Sequence, residues 1–576
     1  MKNRLSLIVV FILSIVLVQY RLSYSDVQKG DPLKITTWDA FGYYMYLPGT
    51  FIYGDVTELK WLDEVEQEYS LTGGALYQAN IHDNGNYVFK YLGGVAVLES
   101  PFFFIGHTIA LNSQYKADGF SPPYQWSIAF GAILYCILAL FLLRRLLLYF
   151  FKDLTVALTL LLLVLATNFI QYVSIDSAQS HAFIFPLYVV LLYATMKWHS
   201  SPKLKWAALI GFSIGLATIS RPTEAIMIFI PILWGSQTKE ARSEKWALVK
   251  AHQKHVIITL VFGIIGILPQ LIYWKIASGS FIYDVGSKWF FLNPWFRVLF
   301  GFENGWFIYT PITILFVIGF FFIKKFPFKK SVIVFCLLNI WIVIAWSDWK
   351  YGATYSTRAL VQSYPVFALA FAAVIELIMQ QRWKWLFYGI GAYLVFVNLF
   401  QIGQYGTTVL HYRDMNRQYY ASIYLNPNPT ALDISLLDTD EICDPSVFKS
   451  ENLLLDSKES FLLTSRYDSI GFILKQNIAL GSKQDQWITI NAKLRTKIGF
   501  TSSYLHCKVV GEGVLKEERI RLFSPINTDG ETGAYAMHFK LPEYNGTAEL
   551  QVFVVPYGDF EGEVVEIEVK ELSNKK

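Results

Sequence analysis

The chain has 576 residues, of which 54% are hydrophobic and 16% are charged, and its formal net charge is +4. Because soluble domains carry roughly 25% charged residues, this composition excludes an ordinary soluble protein. The basic residues are divided among short loops between apolar runs, which excludes a basic nucleic-acid-binding surface and predicts that nucleic acid is not a partner.

Several apolar runs reach the ~18–20 residues that cross a bilayer, so the sequence predicts a polytopic α-helical membrane protein. The first run, from Leu5 to Val18, follows Lys2 and Arg4, and no small-residue cleavage site comes after it. We therefore expect an uncleaved first span with a cytoplasmic N-terminus, followed by a long polar loop over 21–90 on the outer side.

Whether the apolar run at 91–111 crosses the membrane decides the predicted orientation of every later span and loop. If it crossed the membrane, Arg144 and Arg145 would lie outside and every later basic loop would be inverted. A Gly-Gly pair, Glu99 and Pro101 interrupt the run. We therefore predict a juxtamembrane helix that lies along the membrane interface.

The remaining spans follow in order, and the basic residues gather in the loops on one side of the membrane. With the first run they make about eleven spans, and the later ten are at 126–143, 154–173, 181–197, 204–219, 223–236, 256–274, 305–323, 331–346, 359–379 and 385–403. An odd number of spans places the C-terminal tail opposite the N-terminus. We expect a protein of the cytoplasmic (inner) membrane with a periplasmic or extracytoplasmic tail.

The composition changes at an Asn/Pro-rich stretch, 426–429, which predicts a linker or turn. Beyond it, apolar and polar residues alternate in a pattern typical of strands. The alternating segments are 487–494, 533–541, 549–555 and 564–569. The sequence therefore predicts a membrane domain over 1–425, which includes the outer loop 21–125, and a β-rich, sandwich-like domain over 426–576.

Four cysteines are present, and none has the spacing of a zinc site. Cys136 and Cys336 lie in apolar runs and are expected to pack as small apolar side chains. Cys443 and Cys507 lie in the predicted outer domain, where a disulfide is possible, but sequence spacing alone leaves their pairing open.

An acidic residue stands in an aromatic cluster soon after the first span. Asp39 is followed closely by Tyr43 and Tyr44. A carboxylate in such a place can remove a proton from a hydroxyl group, and tyrosine rings can pack against a sugar. On local sequence alone, a helix-capping Asp39 beside an interfacial belt of tyrosines is the simpler interpretation.

The layout resembles the GT-C superfamily of membrane glycosyltransferases, and most closely the branch of protein O-mannosyltransferases and aminoarabinose transferases. The residues that carry the resemblance are Asp39, within Trp-Asp-Ala-Phe-Gly-Tyr-Tyr early in the outer loop, and the segment from Tyr91 to Leu111. The resemblance covers about 1–405, and the adjacent Asp-Glu pair of many mannosyltransferases is missing. It implies a polyprenyl-phosphate sugar donor and a catalytic Asp39.

Further polar residues interrupt the apolar sequence on the predicted outer side. Asp176 and His181 either contact substrate or serve as a cap and a buried, hydrogen-bonded histidine. Arg221 interrupts an apolar stretch, and a charge at that depth needs a partner. That partner is either a lipid-linked phosphate or Glu224.

The last outer loop holds two basic residues at the mouth of apolar spans, Lys350 and Arg358. An arginine there can bind a phosphate through two of its guanidinium nitrogens, or it can extend toward lipid headgroups. The resemblance implies a basic residue on the donor phosphate before a late span, which favours the first interpretation for Arg358. Lys288 and Asp348 are further candidates for substrate contact.

These observations predict an inverting hexosyl- or pentosyltransferase that uses a polyprenyl-phosphate donor. Its acceptor would be a hydroxyl group of an envelope glycan, lipid or protein at the outer face, in contact with membrane lipids. No cofactor is expected, and a lone Asp39 is a poor site for a divalent metal, which needs several oxygen ligands.

Three other functions stay open: a transporter or flippase for a lipid-linked glycan, an O-antigen ligase or polymerase, and a non-catalytic assembly protein. No inverted repeat and no pair of matching broken spans favours a transporter.

Overall fold

The computed structural model describes residues 3–24, 33–465, 471–481, 485–498, 503–522, 532–555 and 560–574. Lys2, part of the predicted cytoplasmic flank, and residues 25–32 of the predicted outer loop lie outside the described residues. The chain divides into two compact units, Met1–Ile402 and Gly403–Lys576. The boundary expected from the Asn/Pro-rich stretch, at 425/426, falls inside the second unit.

The first unit is helical. Its helices of eight or more residues are Leu5–Leu22, Leu62–Tyr69, Gly94–Leu111, Pro122–Leu148, Asp153–Leu165, Ser180–Ser200, Leu204–Thr218, Lys239–Ala251, Gln253–Ser278, Lys329–Ala345, Tyr364–Ile378 and Lys384–Gly406, the last of which continues into the second unit. Its shorter helical segments are Asp39–Tyr44, Tyr46–Phe51, Gln171–Ile175, Pro222–Ile228, Phe229–Leu233, Arg297–Phe300, Trp306–Tyr309, Pro311–Thr313, Ile314–Ile318, Gly319–Phe321 and Arg358–Ser363. The predicted polytopic helical class is confirmed.

Seven helices in the described part of the chain are long and apolar enough to cross a membrane, by length and composition. They are Leu5–Leu22, Gly94–Leu111, Pro122–Leu148, Ser180–Ser200, Gln253–Ser278, Arg358–Ile378 and Lys384–Gly406. Six of them coincide with predicted spans. The seventh, Gly94–Leu111, is the segment that the sequence predicts at the interface; it is helical, and its length and hydropathy also meet the requirement for crossing.

The other five predicted spans are shorter or interrupted helices. The span predicted at 223–236 is a 3₁₀ helix, Pro222–Ile228, followed by the five-residue helix Phe229–Leu233. The span predicted at 305–323 is likewise a series of short segments that includes Pro311–Thr313. Pro311 explains the break after Trp306–Tyr309, because proline lacks the N–H group that would continue the helical hydrogen bonds.

A small hairpin in the first unit positions two tyrosines that matter below. Strand β1 (Ala79–Ile81) pairs antiparallel with β2 (Tyr87–Phe89), and Lys90 N–H donates to the carbonyl of Gln78 at 2.9 Å. The turn contains Asn84-Gly85, with Gly85 at φ +85°, a conformation that glycine adopts without strain. The register therefore continues toward Tyr77 and Tyr91, which stand at the open end of the hairpin.

The described residues of the second unit form nine strands in two antiparallel sheets. The strands are β3 (Ser450–Ser457), β4 (Phe461–Ser465), β5 (Gly471–Leu480), β6 (Gln486–Ile498), β7 (Tyr504–Val510), β8 (Val514–Arg521), β9 (Thr532–Lys540), β10 (Gly546–Val555) and β11 (Phe560–Ser573). One sheet has the order β5-β10-β7-β8, and the other has the order β3-β11-β6-β9 with β4 beside β11.

The two sheets share one apolar core, as a sandwich requires. Alternate residues of β6, such as Ile488 and Ile490, are buried together with Leu505 of β7, Met537 of β9 and Leu550 of β10. This alternation is the period-2 pattern from which the sequence predicts strands, and the predicted β-rich class is confirmed.

The cysteines of the second unit do not form a disulfide. Cys507 is buried in the core, whereas Cys443 lies beside His538, with Sγ 3.5 Å from Nδ1. The possible Cys443–Cys507 bridge is therefore absent: the side chain of Cys507 is enclosed between the sheets, and Cys443 precedes the first strand.

Asp438 and Arg521 form a buried ion pair within the second unit. Arg521 Nη2 donates to Asp438 Oδ1 at 2.7 Å, Nε donates at 2.9 Å, and the two side chains are 17% and 10% exposed. We expect Asp438→Asn to cost about 1.5–3 kcal/mol, because Arg521 loses its nearest charged acceptor and keeps, among the described residues, only Asp414 at 3.5 Å. Hydrogen exchange of the β8 amides in the full chain measures this loss.

Asp485 provides the matched control for this prediction. Its ion pair with Lys540 spans 3.4 Å, and both side chains are about half exposed. Exposed pairs contribute roughly 0–1 kcal/mol, so Asp485→Asn should leave the exchange rates unchanged. Equal effects of the two substitutions would contradict the assignment of Asp438 as a stabilising buried group.

Candidate functional site

Asp39 begins the short helix Asp39–Tyr44, directly after a residue with an unusual backbone. Trp38 has φ +55°, in the left-handed region, which costs an ordinary residue roughly 1–3 kcal/mol. Two hydrogen bonds hold this conformation: Trp38 N–H donates to Leu71 O at 2.8 Å, and Gln78 Nε2 donates to Trp38 O at 3.0 Å. Backbone strain of this kind concentrates at functional sites.

Three donors converge on the carboxylate of Asp39. Arg358 Nη2 donates to Oδ2 at 2.6 Å, while the hydroxyl groups of Tyr77 and Tyr91 donate to Oδ1 at 2.9 and 2.6 Å. The Asp39 side chain is 25% exposed and that of Arg358 is 14% exposed. The candidate base and a candidate phosphate ligand, 319 positions apart in sequence, are thus in direct contact.

These contacts set the ionisation of the site. Burial by itself would raise the pKa of Asp39, but the charge of Arg358 and the three hydrogen bonds outweigh it, so this pKa lies below its ordinary value. Burial and the nearby Asp39 charge raise the pKa of both Tyr77 and Tyr91. Near neutral pH the carboxylate is therefore ionised and the tyrosines keep their protons.

Arg221 lies between helix Leu204–Thr218 and the 3₁₀ helix Pro222–Ile228. Within the described residues its guanidinium forms no hydrogen bond or ion pair. Its charge is within electrostatic range of Tyr43 and Tyr351. Glu224, the protein partner that the sequence offers, accepts hydrogen bonds from Tyr188 and Gln362. It lies within electrostatic range of Arg221 but forms no ion pair with it.

His181 belongs to a buried hydrogen-bond chain. Its Nδ1 lies 2.8 Å from Gln362 Oε1, and Gln362 Nε2 donates to Glu224 Oε1 at 3.1 Å. Because Gln362 lies in the 3₁₀ helix Arg358–Ser363, this chain joins His181 to the segment that begins with Arg358. The contact at Nδ1 fits the structural interpretation of His181, that of a histidine hydrogen-bonded within the bundle.

Asp176 accepts a hydrogen bond from Gln171 Nε2 at 3.0 Å. Burial raises its pKa, and the charges of Arg358 and Arg21 partly offset that effect. Asp176 does not cap the next helix, whose N-cap is Gln179. It therefore lies within electrostatic range of Arg358 without contacting it.

The two tyrosines that follow Asp39 have different environments. Tyr43 is 8% exposed, and its ring meets the ring of Tyr91 edge to face, with centroids 4.8 Å apart. Tyr44 is fully buried, and its hydroxyl donates to Gly119 O at 2.5 Å. Tyr43 therefore lies beside the Asp39 carboxylate, whereas the hydroxyl of Tyr44 is used to hold the outer loop.

The structure does not bring the other candidates to Asp39. Lys288 and Asp348 are exposed, and no hydrogen bond or ion pair of the described residues joins either of them to Asp39 or Arg358. Lys350 lies near the ring of Trp349, with Nζ 5.7 Å from the centroid. Within the first unit, the site therefore gathers Asp39, Arg358 and Arg221 with their neighbours.

Comparison with known families bears on this site. Residues 121–273 match the family model of the dolichyl-phosphate-mannose-protein mannosyltransferases. The match confirms the resemblance to the GT-C superfamily, and it supports a mannosyltransferase-like membrane glycosyltransferase. It covers about a quarter of the chain; Asp176, His181 and Arg221 lie inside it, and Asp39 and Arg358 lie outside. The comparison with curated proteins gave no match.

Sequence reasoning missed three residues of this candidate site: Tyr77, Tyr91 and Gln362. A signal for the tyrosines is present, because Asn84-Gly85 between short apolar segments predicts a two-stranded hairpin centred on the turn. Extending that register pairs Tyr77 with Tyr91. Gln362 has no comparable signal, since only the packing of the helices brings it to His181 and Glu224.

The described residues contain no group of three or more His, Cys, Asp or Glu side chains that could hold a metal ion. Both oxygens of Asp39 already accept hydrogen bonds, from a guanidinium and two hydroxyl groups. The groups around Asp39 are therefore hydrogen-bond donors, and the charged one is a guanidinium.

Proposed function

We propose that the chain transfers a sugar from a polyprenyl-phosphate donor to a hydroxyl group of an acceptor, with inversion at the anomeric carbon. The observation that carries the proposal is the meeting of Asp39 with Arg358, beside Arg221. The transfer needs a base for the acceptor hydroxyl and a cation for the departing phosphate, and this site brings the two residue types together.

In the proposed step, the acceptor oxygen attacks the anomeric carbon while the bond from that carbon to the phosphate oxygen breaks. The acceptor proton passes to the carboxylate of Asp39, and both electrons of the broken bond leave with the polyprenyl phosphate. Its growing negative charge is stabilised by Arg358 and by Arg221, whose guanidinium forms no hydrogen bond or ion pair in the described residues. The donated hydrogen bonds keep Asp39 ionised, as a base must be.

The donor and acceptor classes are part of the proposal. The name of the matched family specifies mannose on a dolichyl phosphate, which is a polyprenyl phosphate, and a protein acceptor. We extend the donor class to this chain and keep glycan, lipid and protein as acceptors. We also propose a cytoplasmic N-terminus and a second unit on the outer side, supported by the basic loops, and a reaction that needs no metal.

The test is release of polyprenyl phosphate by the purified full chain in lipid nanodiscs. Labelled donors that carry mannose, glucose, galactose or aminoarabinose are each supplied with an envelope extract as the source of acceptor. We expect one donor to be consumed, with its sugar recovered on a product of the extract. If none is consumed while the chain remains folded, the proposed transfer is wrong.

A flippase is the second candidate, because Pro222–Leu233 and Pro311–Phe321 are divided into short helical segments, which the sequence did not predict and which occur in helices that line transport paths. The same donors, placed in sealed proteoliposomes, distinguish the two functions. A flippase moves the labelled lipid between leaflets and leaves the sugar–phosphate bond intact, whereas a transferase breaks it.

A further inference from the structure

The segment from Tyr91 to Gly94, which we name the 91–94 segment, contacts Asp39 at its first residue. The hydroxyl of Tyr91 donates to Asp39 Oδ1 at 2.6 Å, and the backbone carbonyl of Tyr91 accepts from the hydroxyl of Tyr46 at 2.8 Å. The Tyr91 ring lies directly on Gly42, where an added Cβ would stand 2.2 Å from Tyr91 Cδ2. The hydroxyl, the ring and the backbone carbonyl of Tyr91 therefore each have a contact that fixes this residue.

The last residues of the 91–94 segment are fixed to the Arg221 side of the site. Gly94 N–H donates to Ile219 O at 2.8 Å, and Gly93 N–H donates to Gln270 Oε1 at 2.7 Å. An added Cβ at Gly94 would lie 2.5 Å from Ser220 N, so no side chain fits between the two backbones. Ser220 directly precedes Arg221.

We propose that the 91–94 segment is a positioning element that fixes the Asp39 carboxylate relative to Arg221, with Tyr91 as the positioning residue. The inference rests on the proposed function, because the segment is proposed to set the distance between the base, Asp39, and the donor phosphate at Arg221. Tyr91, whose hydroxyl contacts Asp39, and Gly94, whose N–H contacts the backbone beside Arg221, are three positions apart, so the connection is short. Tyr91 acts through Asp39 and is not itself a catalytic residue.

The groups that face Asp39 come from several elements. Arg358 comes from the 3₁₀ helix Arg358–Ser363, and Tyr77 comes from the first side of the hairpin. Tyr43 lies on the same helix as Asp39, and Arg221 acts on Tyr43 from the loop after Leu204–Thr218. Removing the hydroxyl of Tyr91 leaves the charge of Arg358 in place, so it changes one of three hydrogen bonds.

The test is the titration of Asp39 itself. Dicyclohexylcarbodiimide reacts with protonated carboxyl groups, and peptide mass spectrometry measures its adduct on Asp39 at each pH in the nanodisc-embedded full chain. We expect Tyr91→Phe to raise the midpoint of labelling by about one pH unit, because a hydrogen bond to the charged form is lost. An unchanged midpoint would overturn the role of Tyr91.

Tyr53→Phe is the matched control, since the Tyr53 hydroxyl donates to Asp118 O at 3.0 Å in the same loop and does not reach Asp39. It should leave the midpoint where it is. Because labelling needs no substrate, it tests the inference even if the transfer reaction fails; absent transfer with a shifted midpoint refutes only the proposed function.

The second half of the inference is tested at Gly94. Gly94→Ala should displace the backbone beside Arg221 and raise the KM for donor about tenfold, with the Asp39 midpoint unchanged. Tyr91→Phe should instead lower kcat and leave the donor KM within twofold. If Gly94→Ala binds donor like the wild type, the 91–94 segment does not position Arg221.

Discussion

Replacement of Asp39 by asparagine is expected to reduce sugar transfer about 1,000-fold while leaving the chain folded. A positioned base contributes roughly 10²–10⁴-fold, and asparagine cannot take the acceptor proton. The amide oxygen can still accept from Tyr91, and the side chain has nearly the same size. The loss should therefore appear in kcat, with the KM for donor within a few-fold of the wild type.

Single-turnover release of polyprenyl phosphate in nanodiscs measures this effect. Asp83→Asn is the control, because Asp83 is an exposed acid in the hairpin turn of the same outer loop. That variant should transfer sugar at the wild-type rate. If Asp39→Asn also retains its rate, Asp39 is not the base and its contact with Arg358 is only structural.

The second large effect is expected for Arg358→Gln, which should lower kcat/KM for donor about 100-fold. A charge-assisted hydrogen bond to a phosphate contributes roughly 1.5–3 kcal/mol, and this charge is also what holds Asp39 ionised. The pKa of Asp39 lies below its ordinary value because of Arg358, so removing the charge must raise it. The acid limb of the pH–rate profile should accordingly move to higher pH.

Arg297→Gln is the matched control for this prediction. Arg297 pairs with Glu303 at 3.7 Å, its side chain is 52% exposed, and it does not contact Asp39. We expect wild-type kinetics and an unshifted acid limb. The double variant Asp39→Asn/Arg358→Gln completes a cycle: strong non-additivity is expected for groups in direct contact, and additive losses would contradict a coupled pair.

Much of the architecture follows from local sequence. Apolar runs between basic loops predict helices such as Pro122–Leu148. Each charge or unpaired amide that is left in hydrocarbon raises the free energy, so every residue of the run contributes to the prediction. Strict alternation likewise predicts β6 and β9, because successive side chains of a strand face opposite sides. Each of these patterns is read over a short stretch of chain.

The same local reasoning failed where a single residue changes the backbone. The predicted spans 223–236 and 305–323 are apolar but form short helical segments, and Pro311 interrupts the hydrogen bonding of the second of them. For Cys443 and Cys507, the sequence left pairing open, and the burial of Cys507 between the two sheets of the second unit decided it.

The sequence by itself singled out Arg221 and Arg358, because an isolated charge at the edge of an apolar run needs a partner wherever the chain places it. Asp39 was singled out by its aromatic cluster and by the family resemblance. Only the tertiary structure decided which partners they have. Asp39 meets Arg358 and Tyr91, and Arg221 is left without an ion pair among the described residues. Residue type fixes the cost of burying a charge, whereas the packing of distant helices fixes which groups are close enough to offset it.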